Sequence, residues 1–473
     1  GTGSGSQNFS FLDSSTNNFF VTRNGNATQG SFSPFSPGWS NNLPVNAWLQ
    51  STASGYTSVL DFSGDVTIEA WVYLPSALAA LSAPNGATLC CTNNNSTGNG
   101  KAWGLIGTNQ FFYLSKSAAA YRTITNSIAY PLNQWFHIAY TLTGNSVVVY
   151  LNGVSVGTDT DTTTYAAQAS SYIAVGNASN STSTAYNIGQ YMSNLRVSNT
   201  LRYNGTFTPS TTPFVSDANT KLLTCQSNRF LDNGPSAVPF GIGASTGTPS
   251  VQAFSPFAPQ YQWTSSVIGG SGYFDGTGDY LYAGNNAAFT MGTGDFTYEC
   301  WAYHTSISGQ QTYFARTHGN FNGVYFYKDS SGYPGVYTTA QVATSSVALT
   351  ANQWYHLVAT RASGTLRIFV NGVQTASVAN STNMTESVCY VGGDSNGTSL
   401  ITGYISGARI LKGTGYSSIT VPTAPPTAIT NTSLLLNCTN AGIYDGTMKN
   451  NLETVGDAQV STSVVKYGSG SMK

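Results

Sequence analysis

A chain of 473 residues and 49.8 kDa allows two or three domains, each large enough to bury its own core. Charged residues make up only 7% and the net charge is -1, which leaves no basic stripe to neutralise phosphates and argues against nucleic acid or an anionic membrane surface as partner. No apolar run approaches the roughly 18 residues of a spanning helix, so membrane insertion is not expected.

The polar surface must come from Ser, Thr, Asn, Gly and Tyr. Hydrophobic residues at 40%, with 29 tyrosines, exclude a disordered chain. Residue 1 is glycine, which leads us to expect a processed chain or a piece of a longer one. The first recognisable segment, FLDSSTNNFFVTRNGNATQGSFSPFSP from Phe11 to Pro37, ends with two prolines in four residues. Proline lacks the N–H a helix needs and biases its neighbour to extended backbone, so residues 1–37 read as a connector.

A first body follows over residues 38–219. VTIEAWVY (Val66–Tyr73) is rich in β-branched and aromatic residues and reads as a strand, while SALAALSA (Ser76–Ala83) could form a short helical turn. NQWFHIAYTLTGNSVVVYLNGV (Asn133–Val154) reads as a three-strand meander. Trp135, His137, Ala139 and Thr141 fall on one strand face and Phe136, Ile138 and Tyr140 on the other, so both faces should be covered. Turns are expected at Thr143–Ser146 and at Asn152-Gly153, because Asn-Gly tolerates the positive φ of a tight hairpin.

LLTC (Leu222–Cys225) introduces a second connector over 220–261, in which FLDNGPSAVPFGIGASTGTPSVQAFSPFAP (Phe230–Pro259) repeats the FLD opening and the FSPF finish. A second body, 262–431, carries FDGTGDYL (Phe274–Leu281), FTYECWAY (Phe296–Tyr303) and NQWYHLVATRASGTLRIFVNGV (Asn352–Val373). The two 22-residue meanders agree at 8 positions, and Trp135 and Trp354 lie 219 apart, as do Asp13 and Asp232. LLNC (Leu435–Cys438) then opens residues 432–473, read as the start of a third connector and repeat, since YGSGSMK resembles GGSGYFDG of the second body. The repeat is domain-sized, and its strand content predicts all-β sandwiches.

Three sets of motifs, in this order, carry a family resemblance: [FT]-x-[IY]-E-[AC]-W, then N-Q-W-[FY]-H with [LV]-N-G-V, then LRVSNTLRY or ARILK. They resemble laminin-G-like domains of the concanavalin A-like lectin/glucanase superfamily. This implies two tandem concanavalin A-like jelly-roll β-sandwiches joined by short extended connectors. Alternation of such domains with FSPF connectors in a low-charge chain also resembles large repetitive structural and appendage proteins of tailed bacteriophages. The first body lacks FDGTGDYL, and neither body carries the E-x-D-x-x-E pattern of the glucanase branch, so no catalytic residue is assigned and no enzyme activity is expected.

No carboxylate or nucleophile is expected beside His137 and His356, which follow a Trp inside a buried strand and read as core. Glu69 and Glu299, the repeated glutamates, read as structural acids, because glycoside hydrolysis needs a pair of carboxylates. Glycan contact is expected from loops mixing aromatics and amides, with Trp103, Asn95, Tyr325 and Asn320 as candidates. Asp275 and Asp279 in DGTGD are candidate calcium ligands, although two aspartates supply too few oxygens alone. The six cysteines show no metal spacing and read as small buried hydrophobes.

The resulting expectation is a non-enzymatic structural or adhesive repeat protein of a virion appendage or extracellular filament. Its partners would be copies of itself, other virion or surface proteins, and cell-surface glycans. A calcium-assisted lectin or adhesin on a bacterial surface and a glycoside hydrolase are the alternatives.

Overall fold

The computed structural model describes residues 17, 21–24, 28–30, 35, 38–45, 47–51, 60, 64–78, 86–92, 101–114, 121–162, 173–177, 189–231, 233, 235–244, 249–253, 267–317, 319, 322–338, 341–438, 460–461 and 471–472. The chain forms two compact units, Pro37–Gln260 and Gly1–Ser36 with Tyr261–Lys473, here called the first and second sandwich.

The strands begin with β1 (Thr22–Asn24) and β2 (Thr28–Gly30), which belong to the second sandwich. The first sandwich contains β3 (Ser40–Leu43), β4 (Ala47–Ser51), β5 (Val66–Tyr73), β6 (Ala87–Thr92), β7 (Lys101–Ile106), β8 (Gln110–Leu114) and β9 (Tyr121–Thr125). It continues with β10 (Trp135–Thr143), β11 (Ser146–Leu151), β12 (Val154–Thr160), β13 (Ile173–Val175), β14 (Gln190–Ser198), β15 (Thr220–Thr224), β16 (Phe240–Ala244) and β17 (Ser250–Gln252). The second adds β18 (Ser271–Asp275), β19 (Tyr280–Asn285), β20 (Phe296–His304), β21 (Gln311–Ala315), β22 (Tyr325–Lys328), β23 (Pro334–Tyr337) and β24 (Gln341–Thr344). Then come β25 (Trp354–Ala362), β26 (Thr365–Val370), β27 (Val373–Ala379), β28 (Val388–Val391), β29 (Thr402–Lys412) and β30 (Thr432–Leu436), followed by the small pair β31 (Val460–Ser461) and β32 (Ser471–Met472).

Each sandwich pairs a seven-stranded with an eight-stranded antiparallel sheet. The first runs β16-β4-β13-β6-β7-β8-β9 against β12-β11-β10-β5-β14-β3-β17, with β15 on β14. The second repeats this strand for strand, as β1-β19-β28-β21-β22-β23-β24 against β2-β18-β29-β20-β25-β26-β27, with β30 on β29. The stretch read as the second connector therefore supplies β15, β16 and β17 to the first sandwich, and the leading connector supplies β1 and β2 to the second.

The core lies between the sheets. Tyr140 on β10 meets Trp103, Phe111 and Tyr113 of the facing sheet at ring centroids of 6.3, 5.7 and 5.4 Å. Both hairpin turns of each meander form as expected, with Asn152 and Gly153 at φ 50 and 82 and Asn371 and Gly372 at φ 51 and 81. All six cysteines are free and buried. Ser76 to Leu78 is not helical, and the rest of the Ser76–Ala83 stretch lies outside the described residues.

Candidate functional site

Two features repeat or contrast between the sandwiches: a buried acid cluster and an outer sheet face. On β5, Val66, Ile68, Ala70 and Val72 alternate inward, so Glu69 points to the other face of its sheet. There Glu69 is fully buried. Its Oε1 accepts from Arg196 Nε at 2.8 Å and Nη2 at 2.6 Å; its Oε2 accepts from Tyr203 Oη at 2.7 Å and pairs with His137 Nε2 at 3.1 Å.

The covering comes from the chain after β14. Tyr203, Phe207 and Phe214 pack edge-on to His137 at 6.4, 5.7 and 6.1 Å, and the Arg196 guanidinium lies 4.2 Å from the Phe214 centroid. Burial by itself would raise the Glu69 carboxyl, but its bonds and charge contacts with His137, Arg196 and Tyr203 hold it below the usual glutamate value. In the second sandwich Glu299 pairs with Arg409 and, at 3.4 Å, with His356, and is likewise held low against its burial.

His137 and His356 do therefore have a carboxylate beside them, contrary to the sequence expectation, because strand pairing brings it from β5 and β20. Both Glu69 oxygens are fully engaged, and among the described residues no three His, Cys, Asp or Glu side chains converge. The bonds of Glu69 to His137 and Arg196 join β5, β10 and β14.

The other feature is the outward face of the seven-stranded sheet of the second sandwich. Leu281, Val391, Phe314, Phe326 and Val336 alternate into the core. The residues between them lie on the opposite face of the sheet, where Ala315, Tyr325 and Tyr327 are buried and Tyr280, Tyr282, Tyr337 and Tyr390 half-buried; the register aligns Tyr282 with Tyr390, Tyr390 with Ala315, and Tyr325 with Tyr337. Tyr282 and Tyr390 stack at 4.9 Å and 29°, and Tyr280 joins them at 5.9 Å. Tyr325 and Tyr327 lie 5.5 Å apart beside Ala315, with Tyr337 and Tyr390 packed against the group.

Six tyrosines thus tile one sheet face. Arg316 lies among them, its guanidinium 5.4 Å from the Tyr325 centroid and 5.7 Å from that of Tyr337, with Nη2 donating to the Thr338 carbonyl at 3.2 Å. Burial lowers the Arg316 pKa while the neighbouring tyrosines, Glu386 and Asp394 oppose that. The Tyr325 hydroxyl is held by Thr312 Oγ1 at 2.8 Å and Gln310 Nε2 at 3.2 Å. Burial also raises Tyr327 and Tyr390, which therefore keep their phenolic protons at neutral pH.

The sequence candidates fall in different places. Tyr325 belongs to this face, where it keeps 9% of its surface exposed beside Tyr327 at 7%. Trp103 sits one register step away, at the position equivalent to Phe326, and is fully buried against Tyr140, so it presents no surface to a ligand. Asn95 and Asn320 lie outside the described residues. Asp279 is buried and its Oδ2 accepts from the Asp275 N–H at 3.0 Å, while Asp275 Oδ1 accepts from the Thr277 N–H at 2.6 Å. Both carboxylates thus brace the turn, and two of them do not meet the six to eight oxygens calcium takes; the turn does not fit a calcium site. Tyr280, Tyr282, Tyr327, Tyr337 and Tyr390 were missed in sequence, where the available signal was a tyrosine at alternate strand positions in YLY and YFY.

A sequence profile described as the concanavalin A-like lectin/glucanases superfamily matches residues 46–202 and 275–414. The chain belongs to that superfamily. Among solved structures, it is similar to domains LG4-5 of the mouse laminin alpha1 chain at 11% identity, covering 83% of this chain and 95% of that one with a TM-score of 0.29. It is also similar to domain 4 of an extracellular arabinanase from Geobacillus stearothermophilus, in complex with arabinotriose, at 15% identity over 32% of this chain and 73% of that one, TM-score 0.27. A carbohydrate binding module from Bacillus subtilis is 15% identical over 30% of this chain and 86% of that one, TM-score 0.21. No curated protein matches the chain.

Proposed function

We propose that the protein is a non-enzymatic adhesive module that binds neutral glycans on the tyrosine face of its second sandwich, and that it works outside the cell on a virion appendage or extracellular filament. The observation that carries the reading is the tiling of Tyr280, Tyr282, Tyr325, Tyr327, Tyr337 and Tyr390 over one outward sheet face around Arg316. Aromatic rings cover the apolar face of a sugar, and phenol, amide and guanidinium groups bond its hydroxyls. With charged residues at 7%, binding should depend little on salt, as suits a neutral ligand. Tandem sandwiches along a filament would multiply a weak contact by avidity.

Titration of the whole chain with neutral oligosaccharides by calorimetry tests this. The reading expects binding that persists in high salt and is lost in Tyr325→Ala and Tyr390→Ala. Binding unchanged in both variants would refute the face as the site. Release of reducing ends during the titration would refute the non-enzymatic part.

A further inference from the structure

The two sandwiches have the same strand order, yet their terminal strands come from different directions along the chain. In the first, β16 and β17 follow β15 after a link of 15 residues and pair with β4 and β3. In the second, the equivalent places on β19 and β18 are filled by β1 and β2, from the opposite end of that sandwich's sequence. Of the segment after β30, the described strands β31 and β32 pair with each other.

The leading segment is fastened at several points. Thr22, Arg23 and Asn24 pair with Tyr282, Leu281 and Tyr280, and Thr28, Gln29 and Gly30 with Tyr273, Gly272 and Ser271. Asn17 Nδ2 donates to the Ser433 carbonyl at 2.8 Å, Val21 joins the apolar core, and Phe35 meets Trp301 edge-on at 5.8 Å. Without this segment β18 and β19 would end their sheets with unpaired N–H and C=O groups, an edge that templates another strand.

We propose that the edges of β18 and β19 form an acceptor site for the connector strands of a second copy of this chain, and that copies join by exchanging the Thr22–Gly30 segment. Two observations support exchange. The equivalent slots of the two sandwiches take connectors of different sequence, residues 240–252 in the first and 22–30 in the second; strand addition through backbone bonds has that tolerance. The donor and acceptor also lie on either side of a complete folded unit, Pro37–Gln260. Filling the slot within one copy or between copies makes the same bonds, so local concentration selects between them. Neither observation involves the glycan face, and the inference stands independently of it.

The test uses two full-length chains with different tags, T28C and Y273C, co-expressed and oxidised. Residues paired across an antiparallel ladder lie within disulfide reach, and the native cysteines are all buried. The proposal expects a disulfide-linked heterodimer on non-reducing gels that is absent when either variant is expressed alone, and a second register, N24C with Y280C, giving the same product. A T28C/Y273C double variant that closes only within its own chain, with no heterodimer from the separate variants, would overturn it. Failure of the double variant to link at all would overturn it too, because the strand pairing itself would be absent.

Discussion

The outer faces of the two seven-stranded sheets occupy the same place in the same topology and differ in chemistry. Where the second sandwich has Tyr390 and Tyr325, the register of the first gives Ala174 and Ala102. The pair Tyr327–Gly335 in the second becomes Gly104–Phe112 in the first, with the ring moved to the neighbouring strand. In both, the ring lies over the glycine: a Cβ on Gly104 would come within 2.5 Å of Phe112, and one on Gly335 within 3.1 Å of Tyr327. The face of the first sandwich is an apolar cluster of Trp48, Cys91, Ala102, Ile106, Phe112 and Ala174, each no more than 4% exposed. On the second sandwich the equivalent face buries Ala315, Tyr325 and Tyr327, at 3, 9 and 7% exposure, with Tyr337 and Tyr390 packed against them, so the duplicated fold keeps the aromatic-over-glycine contact as packing and varies the residues around it.

The largest effect should come from what the copies share. Glu69→Ala would leave Arg196 and His137 facing an empty buried site and should cost about 3–5 kcal/mol, a loss typical of breaking a buried pair. Glu299→Ala should cost less, since its His356 contact is longer at 3.4 Å against 3.1 Å for His137 with Glu69. Chemical denaturation of each variant, followed by tryptophan fluorescence, measures both, and equal losses would remove this distinction between the copies.

Acid should separate the sandwiches next. His304, fully buried and bonded to Gln311 and Tyr313, stands where the first sandwich has Leu74. Burial pushes its pKa from 6.5 down to about 4. The unfolded chain therefore takes up this proton first, so stability is full above about pH 6.5 and falls by about 3 kcal/mol as pH drops towards 4. The glutamate clamps keep their full contribution until pH falls below the usual glutamate value of 4.5, where the unfolded carboxyls begin to take up protons, and lose it as pH drops through their lower folded values. Melting curves between pH 7 and 4 should show the second sandwich losing stability first, and His304→Leu should flatten its response.

A smaller effect is expected on binding. Replacing Tyr390, Tyr325 and Tyr327 by Ala, Ala and Gly copies the first sandwich's residues onto the second and should weaken oligosaccharide binding at least about tenfold, some 1.4 kcal/mol. Calorimetry checks this, and retention of affinity would show that the difference between the faces is not functional. Smallest of all, Phe35→Ala removes one edge-on contact with Trp301 and should cost about 0.5–1.5 kcal/mol beyond its lost burial, seen as a lower melting temperature.

Much of this was legible in the residues. The 219-residue offset, the alternation in WFHIAYT and the Asn-Gly turns at Asn152 and Asn371 specify the repeat, the β class and the central meander, because period and positive φ are local properties. The pairing of Glu69 with His137 and Arg196 was not legible, since it joins residues 68 and 127 positions apart through strand register. Trp103 and Tyr325 look alike in KAWGLI and VYFYK, yet one lies on the face of its sheet that packs on the facing sheet and the other on the opposite face. A single step of register reverses a strand's faces, and only the packed sheets choose the step.

The connectors show the same division. Their prolines and the repeated FSPF state in sequence that the chain runs extended there. Which sandwich each completes was decided by tertiary structure alone, because a backbone ladder bonds N–H to C=O and carries no side-chain address.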